Sequence, residues 1–396
     1  MKKKILFISG EFVPYTQSIG GVIRLISFIY SLKNYNVKVI SLKKKRFGYF
    51  GLKKYISHSE IKYINTKIRK NFSLLNFFFS IVKRLFSNFI YIFAIDYNFF
   101  NNQKYYSEIK KNLKIFKPDY ILISAPPFSL FRLVTSIKKI DKKVKIILDY
   151  RDGWTQRIKS KKYFFIKKIF GKYEKKIINQ SDFILCATKQ IYDDLKFLKN
   201  KKNIILLKNG FWNLSKSNIR KRKTNHISIG YFGLISDDSY GYRDIKVIFN
   251  SLKKNKNIKF SFFGNSKIKN SNIKKNLNFS FFKNISYFET QKKMKEFDYL
   301  LILHTEKSTA SEVITGKFYE YLSSRVPIIV ISNGITEAGK LVKRYNLGYS
   351  LDYSKHSLEN FFTNLKTKKF VWKDLNNIKK FSRFNENKKL IKIMSK

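Results

Sequence analysis

The amino-acid sequence predicts an α/β protein of two doubly wound domains, each with a parallel sheet covered by helices. Short apolar runs recur along the chain, and an amphipathic segment of helical length follows each of them. This alternation is what a parallel sheet buried on both faces requires. The chain has 396 residues, more than one ordinary core accommodates, and a polar stretch interrupts the apolar series once. Two Rossmann-like domains are therefore expected.

The first domain is predicted over residues 1–212, with strands at the apolar runs 4–9, 37–42, 119–124, 144–150, 182–187 and 203–208. Residues 72–116 lie between two of these strands and form a mainly helical insertion by pattern. Within it, the apolar stretch 72–95 is interrupted by Lys83 and Arg84, so it lacks the roughly 20 clean apolar residues of a membrane span. An interfacial helix that contacts a membrane and an ordinary core helix both fit this stretch.

A linker is predicted at 213–226, because "NLSKSNIRKRKTNH" is polar, basic and without periodicity. The second domain follows over 227–375, with strands at 227–232, 258–264, 285–288, 299–304 and 327–332. Residues 376–396 form a helix with a weak apolar stripe, which we expect to pack back on the first domain. Ligands of such sheets bind at the carboxyl ends of the strands, so a cleft between the domains is the expected site.

The charge balance favours an anionic surface as a partner. The chain has 82 basic and 26 acidic residues, a formal net charge of +56. This excess attracts polyanions, whether nucleic acid or the anionic face of a membrane. The lysines are spread over nearly every element, and no nucleic-acid-binding module is recognisable, so we favour a membrane surface and expect no nucleic-acid partner.

Few side chains are suited to metal or disulfide chemistry. The one cysteine, Cys186, lies in the apolar run "DFILCA", which favours a place in the core over a role as a nucleophile. The four histidines and this cysteine show no metal-ligand spacing. The apolar run near the N-terminus is too short for a signal peptide, so a first strand of a cytoplasmic domain is expected.

Two glycine-containing turns could hold phosphate. Gly20 and Gly21 precede an amphipathic helix, where backbone amides can approach an anion at the helix N-terminus, although glycines at such a turn are often structural. In the second domain Gly233 ends a strand, and Arg243 follows a loop rich in Asp, Ser and Gly. Arg243 could clamp a diphosphate or lie on the solvated surface.

The stretch "SEVITGKFYEYLSSRVPI" (311–328) carries the strongest signal. A helix is predicted to start near Gly316 and Lys317, so that the preceding backbone amides form a phosphate seat with a lysine beside it. The carboxylates of Glu312 and Glu320 flank this seat and would repel a phosphate. Sugar hydroxyls are their natural partners, which suggests a nucleotide-sugar clamp. The alternative is that both are exposed helix glutamates.

This spacing, followed by "YLSSRVPI", resembles the donor-site motif of retaining family 4 glycosyltransferases, which have the GT-B fold. "GKFYEYLSSRVPII" resembles the subgroup whose motif reads Gly-Lys-x-x-Glu-Tyr-Leu. The segments "SAPPFS" (124–129), "LDYRDGW" (148–154), "KNGFW" (208–212) and "FSRFNENKKLIKIM" are also similar to segments of that subgroup, in order along nearly the whole chain.

The resemblance implies roles for particular residues. It implies that Glu320 binds the ribose hydroxyls and that Glu312 contacts the donor sugar near the reacting centre. The backbone near the helix start and two glycines would hold the diphosphate, at Gly21, Gly233, Val313, Ile314, Thr315 and Gly316. The family's Arg-Leu pair and the following lysine are missing after Gly233, so Arg243 and Lys317 are the two candidates for the cationic clamp. Glu312, Arg243 and Lys317 are thus the catalytic candidates.

On the acceptor side, Asp149, Arg151, Asp152 and Trp154 follow a strand end and are predicted to face the cleft. An internal salt bridge between an arginine and an aspartate of this loop is the alternative.

The implied reaction is transfer of a hexosyl group from a nucleoside diphosphate sugar, with retention, to a glycan or lipid-linked acceptor in cell-surface polysaccharide synthesis. No cofactor and no metal is expected, because amides and cations stabilise the leaving diphosphate. The expected location is cytoplasmic, peripheral on the inner face of the plasma membrane. Two other functions stay open, a nucleotide-sugar epimerase of related fold and a non-enzymatic polyanion-binding protein.

Overall fold

The computed structural model describes residues 2–16, 19–44, 48–49, 51–65, 96–157, 164–196, 203–214, 226–238, 243–252, 257–305, 314–365 and 375–395. The chain divides into two compact units. The first unit is Met1–Lys208 with Asn387–Lys396, and the second is Asn209–Glu386. The division therefore lies at 208, whereas the sequence places the end of the first domain at 212. The membrane candidate 72–95 lies outside the described residues.

The first unit is built on a parallel sheet of seven strands in the order β3-β2-β1-β4-β5-β6-β7. The chain order reverses between β1 and β4, the switch point at which doubly wound sheets bind ligands. Residues 5–9 and 120–125 of these two central strands are fully buried, as expected for strands covered on both faces. The strands are β1 (Lys4–Ser9), β2 (Asn36–Lys43), β3 (Ser59–Asn65), β4 (Tyr120–Ala125), β5 (Lys145–Tyr150), β6 (Phe183–Cys186) and β7 (Ile204–Leu206).

Helices connect these strands and bury one face each. Ile26 and Ile29 of the first helix are inaccessible, and Cys186 is buried in the core as predicted. The helices described in this unit are α1 (Ile23–Ser31), α2 (Asn102–Ile115), α3 (Leu133–Ile140), α4 (Phe164–Gln180) and α5 (Lys189–Leu195). Short 3₁₀ turns include Ile19–Gly21, Phe128–Arg132 and Thr155–Arg157.

The second unit contains a parallel sheet of six strands in the order β12-β10-β8-β13-β14-β15, and β9 and β11 form a separate pair. One core cluster lies on each face: Leu301 and Leu303 belong to one, and Leu300 and Ile302 to the other. The strands are β8 (Ile227–Phe232), β9 (Ile235–Ser236), β10 (Ile258–Phe263), β11 (Ser266–Lys267), β12 (Phe279–Phe282), β13 (Tyr299–His304), β14 (Ile328–Ser332) and β15 (Gly348–Asp352).

The helices of the second unit are short, and the last one continues into the first unit. They are α6 (Lys246–Ser251), α7 (Ser271–Lys274), α8 (Tyr287–Lys293), α9 (Gly316–Ser324), α10 (Glu337–Arg344), α11 (Leu358–Thr363), α12 (Leu375–Lys379) and α13 (Arg383–Met394). Among the helices that the structure describes, none combines the length and the apolar character needed to span a bilayer.

One predicted strand is wrong. Residues 285–288 do not form a strand, because Ser286 caps α8 and exchanges hydrogen bonds with Glu289 in a capping box. The strand that pairs with β10 is β12, a little earlier in the chain. The sequence pattern missed five strands: β9 and β11, which have two residues each, and β3, β12 and β15, which are edge strands of the two main sheets. Edge strands are less buried, so their apolar signal is weaker.

The C-terminal segment, predicted as one helix over 376–396, forms the two helices α12 and α13, and α13 packs on the first unit from Asn387 onward, as predicted. Asn387 Nδ2 donates to Ser27 O and to Ser31 Oγ, both at 2.9 Å. Lys389 Nζ donates to Leu206 O at 2.9 Å, and Leu390 of the same helix is inaccessible to solvent. These contacts anchor residues 387–390 beside α1 and β7.

Candidate functional site

The carboxyl end of β8 is shaped by glycines. Gly233 and Gly264, which follow β8 and β10, have φ values of +132° and +145°, a region that side chains other than glycine rarely adopt. A Cβ atom on Gly264 would lie 2.5 Å from the carbonyl oxygen of Gly233, and one on Gly233 would lie 2.9 Å from Lys317 Cε. Gly233 therefore provides the space that the Lys317 side chain occupies.

Lys317 lies in the first turn of α9, and its ammonium nitrogen is 3.8 Å from the centre of the Tyr231 ring. Burial lowers the pKa of Lys317 well below that of an exposed lysine, and the positive charge of Arg243 lowers it further. No carboxylate of the described residues forms an ion pair with Lys317. The structure thus brings together the two cations that the sequence offered as alternatives.

Glu320 lies one turn further along α9 and is held in a network. Its carboxylate accepts hydrogen bonds from Tyr287 Oη at 2.9 Å and Gln291 Nε2 at 2.6 Å, and Arg383 Nη2 lies 3.5 Å away. The side chain is only 13% exposed. Burial raises the pKa of Glu320, and Arg383 opposes this shift. Glu320 is therefore not the exposed helix glutamate of the alternative interpretation.

The structure describes the start of α9 from Ile314 onward. Thr315 occupies the N-cap position in an extended conformation, and Ile314 before it is buried. The Thr315 hydroxyl is buried and has no hydrogen-bond partner among the described residues. Gly316 is exposed, and a Cβ atom there would meet open space. Glu312 and Val313 lie outside the described residues, so their predicted roles stay predictions.

In the first unit, Gly21 lies in the 3₁₀ turn before α1, and its carbonyl oxygen accepts a hydrogen bond from Arg151 Nη1. Arg151 also donates to the carbonyl oxygens of Ala125, at 3.3 Å, and Pro126. Burial lowers the pKa of Arg151 below the usual arginine value. Arg151 therefore links the Gly21 turn to the ends of β4 and β5.

The remaining acceptor-side candidates differ in their surroundings. Asp149 is fully buried and accepts from Arg24 Nε at 2.9 Å and Ser124 Oγ at 2.8 Å. Trp154 is 5% exposed, and its ring stacks on Phe128 with centroids 5.5 Å apart. Asp152 between them is half-buried. An internal salt bridge is thus present, but Asp149 pairs with Arg24 of α1 and not with an arginine of its own loop.

Sequence reasoning missed several members of these networks. Tyr287 and Gln291 are four residues apart on α8, a spacing that the capping box at Ser286 could have revealed. Arg24 and Arg383 gave no local signal, because their partners are 125 and 63 residues away in the chain.

Comparison with known proteins identifies the fold. The sequence matches no family model and no curated protein sequence. Among solved structures, the apo form of the lipopolysaccharide outer core galactosyltransferase WaaB is similar at 15% identity and a TM-score of 0.61, over 99% of each chain. A glycosyltransferase from Rickettsia africae is similar at 14% identity and a TM-score of 0.62, over 99% of this chain and 97% of that one.

An epimerase shares the architecture as well. The UDP-GlcNAc 2-epimerase of Methanocaldococcus jannaschii, solved with UDP-GlcNAc and UDP, is 13% identical with a TM-score of 0.52, over 100% of this chain and 99% of that one. The protein has the GT-B fold, with two Rossmann-like units and a returning C-terminal helix, which confirms the predicted fold class. At these identities the likeness establishes the fold and leaves the chemistry to the residues.

Proposed function

We propose that the protein is a retaining glycosyltransferase that moves a hexosyl group from a nucleoside diphosphate sugar to a glycan or lipid-linked acceptor. The observation that carries the proposal is the pair of cations, Lys317 and Arg243, beside the first turn of α9 at the carboxyl end of β8. An anion bound there would meet two positive charges and the positive end of a helix dipole.

A diphosphate fits the electrostatics of this site. The lowered pKa of Lys317 means that its charge is held at a free-energy cost in the unbound protein. A bound diphosphate removes that cost, and it gains charge-assisted hydrogen bonds of the kind that stabilise a leaving group. In this proposal the cations and backbone amides of 314–316 perform the role without a metal ion.

Glu320 is proposed to bind the ribose. A carboxylate offers about four acceptor positions, and Tyr287, Gln291 and Arg383 use three of them. A ribose hydroxyl would take the fourth or replace one of the neutral donors. Glu312 is proposed to contact the donor sugar, and Asp152 is the acceptor-side carboxylate that is not fully buried, since Asp149 is inaccessible to solvent.

The cellular role proposed is cell-surface polysaccharide synthesis at the inner face of the plasma membrane. WaaB, one of the similar structures, acts in the lipopolysaccharide outer core according to its name. The net charge of +56 supports attraction to anionic lipid headgroups.

Ligand screening tests the donor site. The purified protein is heated with UDP, GDP, ADP or CMP in the presence of EDTA, and its unfolding temperature is recorded. A nucleotide at 100 times its dissociation constant adds about 2.7 kcal/mol of stability. We expect one nucleoside diphosphate to stabilise the protein without metal. Stabilisation by RNA or heparin alone would contradict the proposal and favour a polyanion-binding protein.

Product analysis separates transfer from epimerisation, which the fold shared with an epimerase does not. The sugar conjugate of the selected nucleotide is incubated with the protein alone, and the sugar is examined by NMR. A transferase leaves the donor intact or slowly releases the free sugar. Formation of a stereoisomeric nucleotide sugar without any acceptor would instead establish the epimerase.

A further inference from the structure

Glu174, on α4 of the first unit, is a buried carboxyl group that the proposed chemistry does not use. Its side chain is fully inaccessible to solvent. No cation is among the principal influences on its pKa, which burial raises to about 7. An uncompensated carboxyl group is costly to bury, so its hydrogen bonds indicate what it is there to hold.

Those hydrogen bonds lead to the loop that follows β5. One oxygen, Oε2, accepts from the Thr155 hydroxyl and, at 3.3 Å, from Gln156 Nε2. The side-chain oxygen of Gln156 in turn accepts the backbone N–H of Trp154 at 3.0 Å. Near the same carboxyl group, the buried Tyr150 hydroxyl has its pKa raised by burial and by the Glu174 charge. Glu174 is thus connected to three consecutive residues of one loop.

The same loop is fixed from two sides. At its beginning, Arg151 is anchored by the carbonyl oxygens of Gly21, Ala125 and Pro126. Trp154 is enclosed by Phe128 and by two rings of α4, Phe170 at 6.2 Å and Tyr173 at 6.5 Å between centroids. Only Asp152 and Gly153 lie between the two anchors.

We propose that Glu174 is a positioning residue for this loop: through Thr155 and Gln156 it fixes Trp154 against Phe128, and thereby fixes Asp152 at the carboxyl edge of the first sheet. The polar group presented there would meet the acceptor hydroxyl, so the acceptor part of this inference rests on the proposed function. The anchoring itself does not depend on it.

Hydrogen exchange of the backbone amides, measured by mass spectrometry on the full chain, tests the anchoring. Glu174→Leu removes both hydrogen bonds, and we expect exchange within 152–156 to quicken about tenfold. Glu174→Gln keeps an acceptor oxygen in place, so it should stay within about threefold of the wild type. Glu108→Gln, a change to a half-buried carboxylate on α2, is the matched control and should leave the loop unchanged.

Two further variants keep the test decisive if Glu174→Leu does not fold. Thr155→Val and Gln156→Met each remove one donor to the carboxyl group, and both should quicken exchange within 152–156. Unchanged exchange in both would overturn the proposal. So would an equal increase over the whole first sheet, because Glu174 would then be an ordinary core residue.

The donor site supplies an independent readout. Glu174 lies in the first unit, and the proposed diphosphate cations lie in the second. We therefore expect Glu174→Leu to bind the nucleoside diphosphate selected by the screen within about twofold of the wild type. If no nucleotide binds the wild-type protein, the proposed function fails while the exchange experiment still decides the role of Glu174.

Discussion

The charged side chains at the carboxyl ends of the two sheets have different neighbours. In the first unit, Asp149 is paired with Arg24, and Arg151 is satisfied by backbone carbonyl oxygens. In the second unit, Lys317 and Arg243 lie close enough that one lowers the pKa of the other. Asp149 and Arg24 carry opposite charges, whereas Lys317 and Arg243 carry the same charge.

This difference supports the proposal that the anionic part of the substrate binds at the carboxyl edge of the second sheet. A buried ion pair is part of the stable folded structure. Removing one partner leaves the other charge buried without compensation, which costs unfolding free energy. Like charges held in proximity are an unfavourable arrangement that an anion relieves, which is typical of functional sites. Mutations that break pairs in the first unit should therefore reduce stability, and those that remove cations from the second should reduce binding.

The largest effect on stability is expected from Arg24→Met. This change leaves Asp149 buried without its partner, which typically costs about 3–5 kcal/mol of unfolding free energy. Urea denaturation followed by circular dichroism measures the loss. The double variant with Asp149→Leu should recover much of it, because neither charge then remains buried. If the single variant lost under about 1 kcal/mol, the pair would not have the structural role described above.

The next effect is a dependence of stability on pH that comes from Glu174. Its pKa is about 7 in the folded protein against an ordinary value of 4.5. Between these values the folded state binds the proton and the unfolded state does not, so stability falls as pH rises, by about 1.4 kcal/mol per pH unit. Glu174→Gln cannot ionise. Its stability relative to the wild type should therefore rise by about 3 kcal/mol between acid and neutral pH.

Denaturation of both proteins at several pH values checks this sign. The difference between them isolates Glu174 from the many other carboxyl groups that titrate in the same range. A constant difference from acid to alkaline pH would mean that Glu174 keeps an ordinary pKa in the folded protein. The carboxyl group would then be more hydrated than its burial implies.

A smaller effect, on binding alone, is expected from Lys317→Ala. Loss of a charge-assisted hydrogen bond should weaken binding of the nucleoside diphosphate by about 2 kcal/mol, which raises its dissociation constant roughly thirtyfold. For the wild type, affinity should fall as pH rises through the lowered pKa of Lys317, because the neutral amine no longer attracts the diphosphate. Calorimetric titration measures both effects. Lys340→Ala, on an exposed position of α10, is the control and should bind normally.

The sequence predicted the fold better than the site for a physical reason. Buried parallel strands such as β4 and β13 are continuous apolar runs, which need no knowledge of partners to recognise. The start of α9 and the place of Lys317 in its first turn were also local signals. By contrast, the internal role of Asp149 depends on Arg24, and the network at Glu320 depends on Arg383, both distant in sequence. Pairings of this kind arise only when the chain has folded.

The smallest effect is expected from the cap of α8, the helix that contacts Glu320. Ser286→Ala removes the cap of α8, which typically costs about 1 kcal/mol. Tyr287 and Gln291 of that helix both donate hydrogen bonds to Glu320, so loosening α8 should also disturb the proposed ribose contact. We expect the affinity for the nucleotide to fall about threefold.

Thr188→Ala removes the corresponding cap of α5 in the first unit and is the matched control. It should cost similar stability and leave nucleotide affinity unchanged. Equal loss of affinity in both variants would mean that affinity follows overall stability. A loss confined to Ser286→Ala would show that Glu320 acts through the helix that holds it, and would place the ribose contact at this network.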